Sequence, residues 1–574
     1  MKKVVVGIDF GTSGIGYAYG FSNQVDRIFL SNFHGQNEDS KVRSEIILDN
    51  DLEDILSFGN ECIGFANTHD KNSYEYFKNI KMNLYKKIYT IKSSNGKEAD
   101  IQLIITKILK KVSESALTQI QKSSDKTIKK DNIRWVVTIP AIWEDKSKQI
   151  MINASIKAGL IKENEDKSLF LALEPEVAGI YYYTISQTTP SFKSDHISRG
   201  EPYIICDIGA GTVDICTHRK VINNNQVSEL IEEYPPIGGD FGGNKINEEF
   251  IKRLIVGLFG EEKVKKLQFN YIGDDWFNFE RNIEEKKRNC YDNELCNLTL
   301  DCDIFDDELI SKSLDEYIAE YDKKNLRYKY KIQKVRKWKI EFSSQIFLDI
   351  AKECAQKIFE KLEEIYNNVH TGYILLTGAG SKNCLISNYI YEFAKNKNIK
   401  FEFTNPPQPD ISIIKGAVIF GFQNNIIRKR RAKYTLGIRV SSFWEDKYEG
   451  KGIKTYEEVD KRYHCSNLFS KFITINQYIK FNEVIKHTYT ALNPNPEIIF
   501  YKTNKEDCTY IDEKDEKGKL ILEEFGRVNF NIGEDFDVNN RDVTIEMRMG
   551  GTYIDCCATL LKNGKQLNII QSFN

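Results

Sequence analysis

Residues 203–217 read YIICDIGAGTVDICT: an apolar strand ending in Asp207, a turn at Gly209-Ala210-Gly211-Thr212, and a second strand carrying Asp214. Glycine tolerates a left-handed backbone and carries no Cβ, so such a turn lets main-chain amides approach an anion closely. The chain opens with the same grammar. Residues 1–19, MKKVVVGIDFGTSGIGYAY, place a strand at Val4 to Ile8, Asp9 at its mouth, the turn Gly11-Thr12-Ser13-Gly14, and a return strand at Ile15 to Tyr19. A carboxylate beside an anion nest repels bare phosphate, which points to a bridging cation such as Mg²⁺ held through water. One such hairpin occurs in many folds. Two of them, roughly 200 residues apart, predict related halves facing one another across one anion.

Two further glycine turns follow, at Gly238-Gly239-Asp240-Phe241-Gly242-Gly243 and at Thr377-Gly378-Ala379-Gly380. The first precedes a helix expected over Lys245 to Phe259, and the second ends a strand after a long helix expected over Ser343 to Tyr366. Before the second hairpin, apolar periodicity predicts a helix over Ile101 to Ile120, a buried strand over Arg134 to Ile139, and a helix opened by Glu174-Pro175. Glu174 has a plain reading as a helix-start carboxylate. Lys81 sits among apolar neighbours in YEYFKNIKM, residues 74–82, and pattern alone reads it as a lysine snorkelling from a helix. Pro190 to Gly200 is polar and reads as a loop crossing between the halves.

The chain has 574 residues, 41% hydrophobic and 29% charged, with a net charge of -2. That length suits several folding units, and the charge balance gives no global pull toward nucleic acid or membrane. No apolar run approaches a bilayer span, and Asp9 interrupts the apolar start too early for a signal peptide. The 12 cysteines form no CxxC pair, which fits reduced thiols in the cytoplasm, with the nucleus as an alternative.

Taken together, these segments resemble the ATPase domain shared by actin, sugar kinases and the 70 kDa heat-shock chaperones. The phosphate hairpins correspond to IDFGTS and CDIGAGTVD, and the adenosine loop to LLTGAG. Glu174-Pro175 and the segment around Lys81 look like the heat-shock type. The nearer resemblance is to its divergent twelfth, 12A-like branch, through DFGTS-x-x-GYAY, VTIPAIW, LEPEVAGIYY, PPQ and KGAV. It implies an α/β, two-lobed actin-like ATPase fold with duplicated ribonuclease H-like lobes, followed by a small β-rich C-terminal module. Lobe I would span 1–200 and lobe II 201–404, with a return and hinge at 405–431 and the module at 432–574.

The resemblance also implies roles. Asp9, Asp207 and Asp214 would arrange Mg²⁺ and its waters. Gly11, Thr12, Ser13, Gly209, Ala210, Gly211 and Thr212 would cradle the phosphates of ATP or ADP, with Gly238 and Gly239 reaching them from the second lobe. Lys81 and Glu174 would position the attacking water, with Asp207 beside them as a catalytic residue. Glu284, Lys287 and Arg288 would flank adenine and ribose, and Gly378, Ala379 and Asp410 would close that pocket. Ala210 departs from the three glycines of the heat-shock chaperones and adds a Cβ where phosphate approaches.

The implied function is an ATP-binding, slowly hydrolysing chaperone-like switch. A sugar-type kinase of the same superfamily and a nucleotide-holding adaptor are the alternatives. From Tyr434 onward the pattern shifts toward period two, as in Val543, Ile545 and Met547, and predicts a β module. Polypeptide clients or protein partners would act through that module. The basic runs Lys323 to Lys339 and Arg428 to Lys433 read as a solvated strand face and a charged hinge, respectively, rather than as nucleic-acid sites. No acidic, apolar linker of the chaperone kind follows the ATPase region.

Overall fold

The computed structural model describes residues 3–33, 40–124, 127–162, 168–189, 195–221, 229–271, 274–290, 294–300, 302–305, 309–324, 330–382, 384–529, 531–533, 537, 539–551, 555–567 and 570–573. The first lobe contains β1 (Val4–Phe10), β2 (Gly14–Phe21), β3 (Gln24–Leu30), β4 (Lys41–Arg43), α1 (Ile80–Tyr85), α2 (Ile101–Lys122), β5 (Ile133–Ile139), β6 (Leu169–Leu173) and α3 (Glu174–Thr188). The second contains β7 (Pro202–Ile208), β8 (Val213–Val221), β9 (Glu229–Glu232), β10 (Ile237–Gly239), α4 (Gly243–Phe250), α5 (Asp274–Arg288), α6 (Gln345–Val369), β11 (Tyr373–Thr377) and β12 (Glu402–Thr404). Helix α7 (Ser412–Phe422) then returns to the first lobe.

The duplication read from the two hairpins is visible in the sheets. One runs β6-β5-β1-β2-β3, with β4 on β2; the other contains β12-β11-β7-β8-β9, with β10 on β8. In both, the first hairpin strand is antiparallel to its partner and parallel to the strand on its other side. Asp9 pairs in register with Thr138 of β5, and Asp207 with Thr377 of β11. The two aspartates therefore occupy equivalent corners of equivalent sheets, and the fold is the two-lobed, duplicated α/β arrangement expected from the sequence.

Burial explains the strand sequences. Every residue of β1 is buried, as parallel strands covered on both faces require. Helix α2 starts where Asp100 accepts the Gln102 N–H at 2.8 Å, and it buries Ile101, Ile104, Ile105, Ile108 and Val112 along one stripe. The small residues of α7 serve close packing: a Cβ on Gly416 would lie 1.8 Å from the Val177 carbonyl oxygen of α3. The helix expected over Lys245 to Phe259 is instead composite, with a π-helical turn at Ile251–Ile255 between α4 and a last turn at Val256–Phe259.

The basic run is a correction. It is no hinge: β13 (Ile427–Arg431) pairs parallel with β9 of the second lobe and antiparallel with β14 (Tyr478–Lys480). Beyond it, Thr435–Phe443 begins a six-stranded sheet, and Glu483–Thr490, Asp542–Met549, Asp555–Leu560 and Lys565–Leu567 form another of four strands. Val543, Ile545 and Met547 point inward, as their alternation predicted, and share one core with Ile438 and Phe500 of the larger sheet. Residues 552–554 and 568–569 of the expected β module lie outside the described residues. So do 190–194 of the expected crossing loop, whose residues Asp195–Ser198 form a short helix. Among the described residues no helix is long and apolar enough to cross a membrane.

Candidate functional site

The two hairpin turns meet. A Cβ on Gly211 would lie 2.7 Å from Thr12 Oγ1 and 2.3 Å from Met82 Sδ, so only glycine lets the second turn close on the first. The third glycine turn braces this arrangement. Gly242, Gly243 and Asn244, at the start of α4, donate their N–H groups to the carbonyls of Gly211, Gly209 and Ala210 at 3.2, 3.0 and 2.7 Å. Gly238 pairs in register with Asp214, and a Cβ there would lie 2.0 Å from the Val213 carbonyl oxygen. Its glycine is thus demanded by strand packing.

Between the lobes lies a cleft of about 780 Å³. Thr12, Ser13, Gly209 and Ala210 line it from the two turns; Glu284, Lys287, Arg288, Ala379 and Asp410 line its far end. A cleft of this size accommodates a small ligand with a few convergent polar groups. Glu284 is held by Asn247 at 2.7 Å, by Lys287 at 2.5 Å and by Arg288 at 2.8 Å, while Lys287 also donates to the Gly243 carbonyl at 3.1 Å. The expected adenosine residues are therefore tied to the base of α4, which itself braces the phosphate turn. Gly378 sits at φ +81 against Asp207, and Asp410 pairs with Lys382 at 3.3 Å.

Beneath the turns the site is acidic and buried. Asp9, Glu174, Asp207 and Asp214 are all 5% exposed or less. Lys81 corrects the snorkelling reading: it is 3% exposed and its ammonium donates to Glu174 Oε1. Asn79, in a left-handed conformation at φ 57, turns the chain into α1 so that Lys81 faces inward. Asp214 Oδ1 accepts the Ile142 N–H at 3.1 Å, and Asp9 Oδ1 accepts the Thr138 hydroxyl at 3.2 Å. Burial, opposed in part by Lys81 and reinforced by Asp9, pushes the Glu174 carboxyl up to about 7. Burial and the neighbouring carboxylates raise Asp207 well above the usual range, and burial raises Asp214.

Two residues in this region carried no sequence signal. Lys41 of β4 pairs with Asp9 Oδ2 at 2.6 Å; burial opposes its charge, but Asp9 together with Asp207 and Glu174 keeps it above the ordinary lysine range. Arg43 lies 4.3 Å over the Phe277 ring of α5, a contact that crosses the cleft between lobes. Gly11 and Thr212 stand in the two hairpin turns, whereas Gly238 and Gly239, expected in a turn, end the strand Ile237–Gly239.

The donor set fits a hydrated divalent cation. Among the described residues, Asp207 Oδ1 and Asp214 Oδ2 are buried without a hydrogen-bond partner. No three His, Cys, Asp or Glu side chains among them stand close enough to ligate a metal jointly and directly.

No protein-family model matches the chain. Along its length it is similar to heat shock 70 kDa protein 12A of Mus musculus, with 24% identity covering 99% of this chain and 91% of that protein. The Homo sapiens 12A protein gives the same figures, and Homo sapiens heat shock 70 kDa protein 12B is 23% identical over 91% of this chain and 84% of its own length. Among solved structures, a non-polymerising MamK mutant bound to AMPPNP is 12% identical with a TM-score of 0.36, covering 73% of this chain and 99% of that one. The MamK double helical filament is 14% identical with the same TM-score, covering 73% and 98%.

Proposed function

We propose that the chain, which is similar along its length to the heat shock 70 kDa proteins 12A and 12B, binds ATP with Mg²⁺ in the cleft, hydrolyses it slowly, and acts as a chaperone-like switch. The observation that carries this reading is the meeting of the two glycine turns at Gly211 and Thr12, against Met82, whose neighbour Lys81 forms the buried pair with Glu174. The turns supply amides for a polyphosphate, and the far end of the cleft supplies Glu284, Lys287 and Arg288 for a nucleoside.

Asp207 and Asp214 would hold the waters of a divalent cation through their unpartnered oxygens. That cation, when bound, offsets the charge of the phosphates and of the carboxylates. Lys81 fixes Glu174, whose raised carboxyl then orients a water for in-line attack on the terminal phosphate. Phosphoryl transfer depends on such positioning, and little covalent work falls to the side chains. Slow basal turnover follows from a site that binds well and needs a partner to improve its geometry.

Incubating the purified chain with γ-labelled Mg-ATP, with and without peptides or sugars, tests the reading. Slow release of phosphate to water supports the switch. Transfer to a sugar supports the kinase alternative, and nucleotide-dependent stabilisation without release supports an adaptor.

A further inference from the structure

Asp9 differs from the other two aspartates of the cleft in one respect. Asp207 and Asp214 each leave a buried oxygen without a partner among the described residues, whereas both oxygens of Asp9 are engaged, Oδ1 by Thr138 at 3.2 Å and Oδ2 by the Lys41 ammonium at 2.6 Å. The protein thus brings its own cation to one corner of the acidic site.

The sheet is shaped to let it do so. Asp9, Gly16 and Lys41 lie in one row across β1, β2 and β4, so the lysine must cross the middle strand to reach the aspartate. Gly16 leaves that path open: a Cβ there would lie 2.9 Å from Lys41 Cγ, and one on Gly14 would lie 3.4 Å from Lys41 Cβ. Gly14, at the end of the turn, and Gly16 of the return strand, where a Cβ would also meet the Ser40 carbonyl oxygen at 2.4 Å, form the bed for the lysine stem. The Lys41 side chain is 29% exposed along its length, while its ammonium ends on Asp9, which is 3% exposed.

We infer that Lys41 is a further positioning residue of the phosphate site: it fixes Asp9 and supplies a resident positive charge to the polyphosphate, doing part of the work of the divalent cation. The inference rests on the nucleotide reading above. A fixed ammonium beside the turn keeps part of the binding energy when the divalent cation is removed, and Asp207 and Asp214 are left as the carboxylates that answer to the metal.

The test is equilibrium binding of a non-hydrolysable ATP analogue to the full chain, in Mg²⁺ and in EDTA, for the wild type, Lys41→Gln and Lys41→Arg. The wild type is expected to bind in both conditions. Lys41→Gln should bind at least about tenfold more weakly than wild type in EDTA but only about threefold more weakly in Mg²⁺, and Lys41→Arg should restore most of the EDTA binding. Equal losses in both conditions, no loss in EDTA, or no rescue by arginine would overturn the inference and leave the nucleotide reading standing. Failure of the wild type to bind even in Mg²⁺ would overturn both. Should Lys41→Gln fail to fold, the wild type decides alone: EDTA binding more than about a hundredfold weaker than Mg²⁺ binding contradicts a resident cation.

Discussion

Arg430, on the strand that leads out of the second lobe, is buried against Glu176 in the first turn of α3, two residues beyond Glu174. Its guanidinium donates to Glu176 Oε2 at 3.0 Å and to the Gly550 carbonyl of the C-terminal module at 3.1 Å, and it stands 3.5 Å from Glu232 Oε2 on β9. One side chain therefore joins both lobes, the module and the helix turn that carries Glu174. Replacing it should be costly. With the arginine gone, the buried Glu176 carboxylate loses its cation and Glu232 loses a nearby donor, so Arg430→Met is expected to destabilise the chain by about 3–5 kcal/mol. Urea unfolding measures this; a change below about 1 kcal/mol would show that the cluster tolerates loss of its charge.

Glu232 gives a pH signature. Its carboxyl is pushed up to about 8 by burial, opposed by the Arg431 N–H, and one guanidinium cannot neutralise both Glu176 and Glu232. The folded chain keeps a proton there that the unfolded chain releases in the ordinary carboxylate range. The stabilisation is therefore complete below that range and is lost as pH rises through about 8. Glu232→Gln cannot titrate, so its melting temperature relative to wild type should climb between about pH 5 and pH 9. Parallel melting curves across that window would contradict the assignment.

The cation–π contact between Arg43 and Phe277 spans the cleft entrance. Contacts of this kind contribute about 0.5–2 kcal/mol, so Phe277→Ala should raise the nucleotide dissociation rate roughly two- to thirtyfold. Stopped-flow release of a fluorescent nucleotide reads this directly, and an unchanged rate would show that the contact is incidental to release.

How much of this was legible follows from how local each feature is. The hairpins at Asp9 and Asp207 could be read because strand, carboxylate and glycine turn lie within a few residues of one another. The duplicated lobes followed from their repetition. Lys81 and Glu174 are 93 residues apart, and pattern alone sent the lysine to solvent; only the resemblance brought the two together. Lys41 reaches Asp9 across an intervening strand, through space left by Gly16, and no spacing in the sequence encodes that register. Arg430 lies in a run of charges that reads as a hinge, yet β9 and β14 enclose it, and its partners Glu176 and Glu232 lie about 250 and 200 positions away.

If the two hairpins and their carboxylates clamp a metal–nucleotide complex, Mg-ATP must raise the thermal stability of the chain. Ligand at about a hundred times its Kd should stabilise the wild type by about 2.7 kcal/mol. Asp207→Ala should abolish that gain, since it removes a carboxylate facing the cation. Lys81→Ala should retain most of it relative to its own unliganded form, since it mainly disturbs the positioning of water. No stabilisation of the wild type, or equal loss in the two variants, would contradict the account.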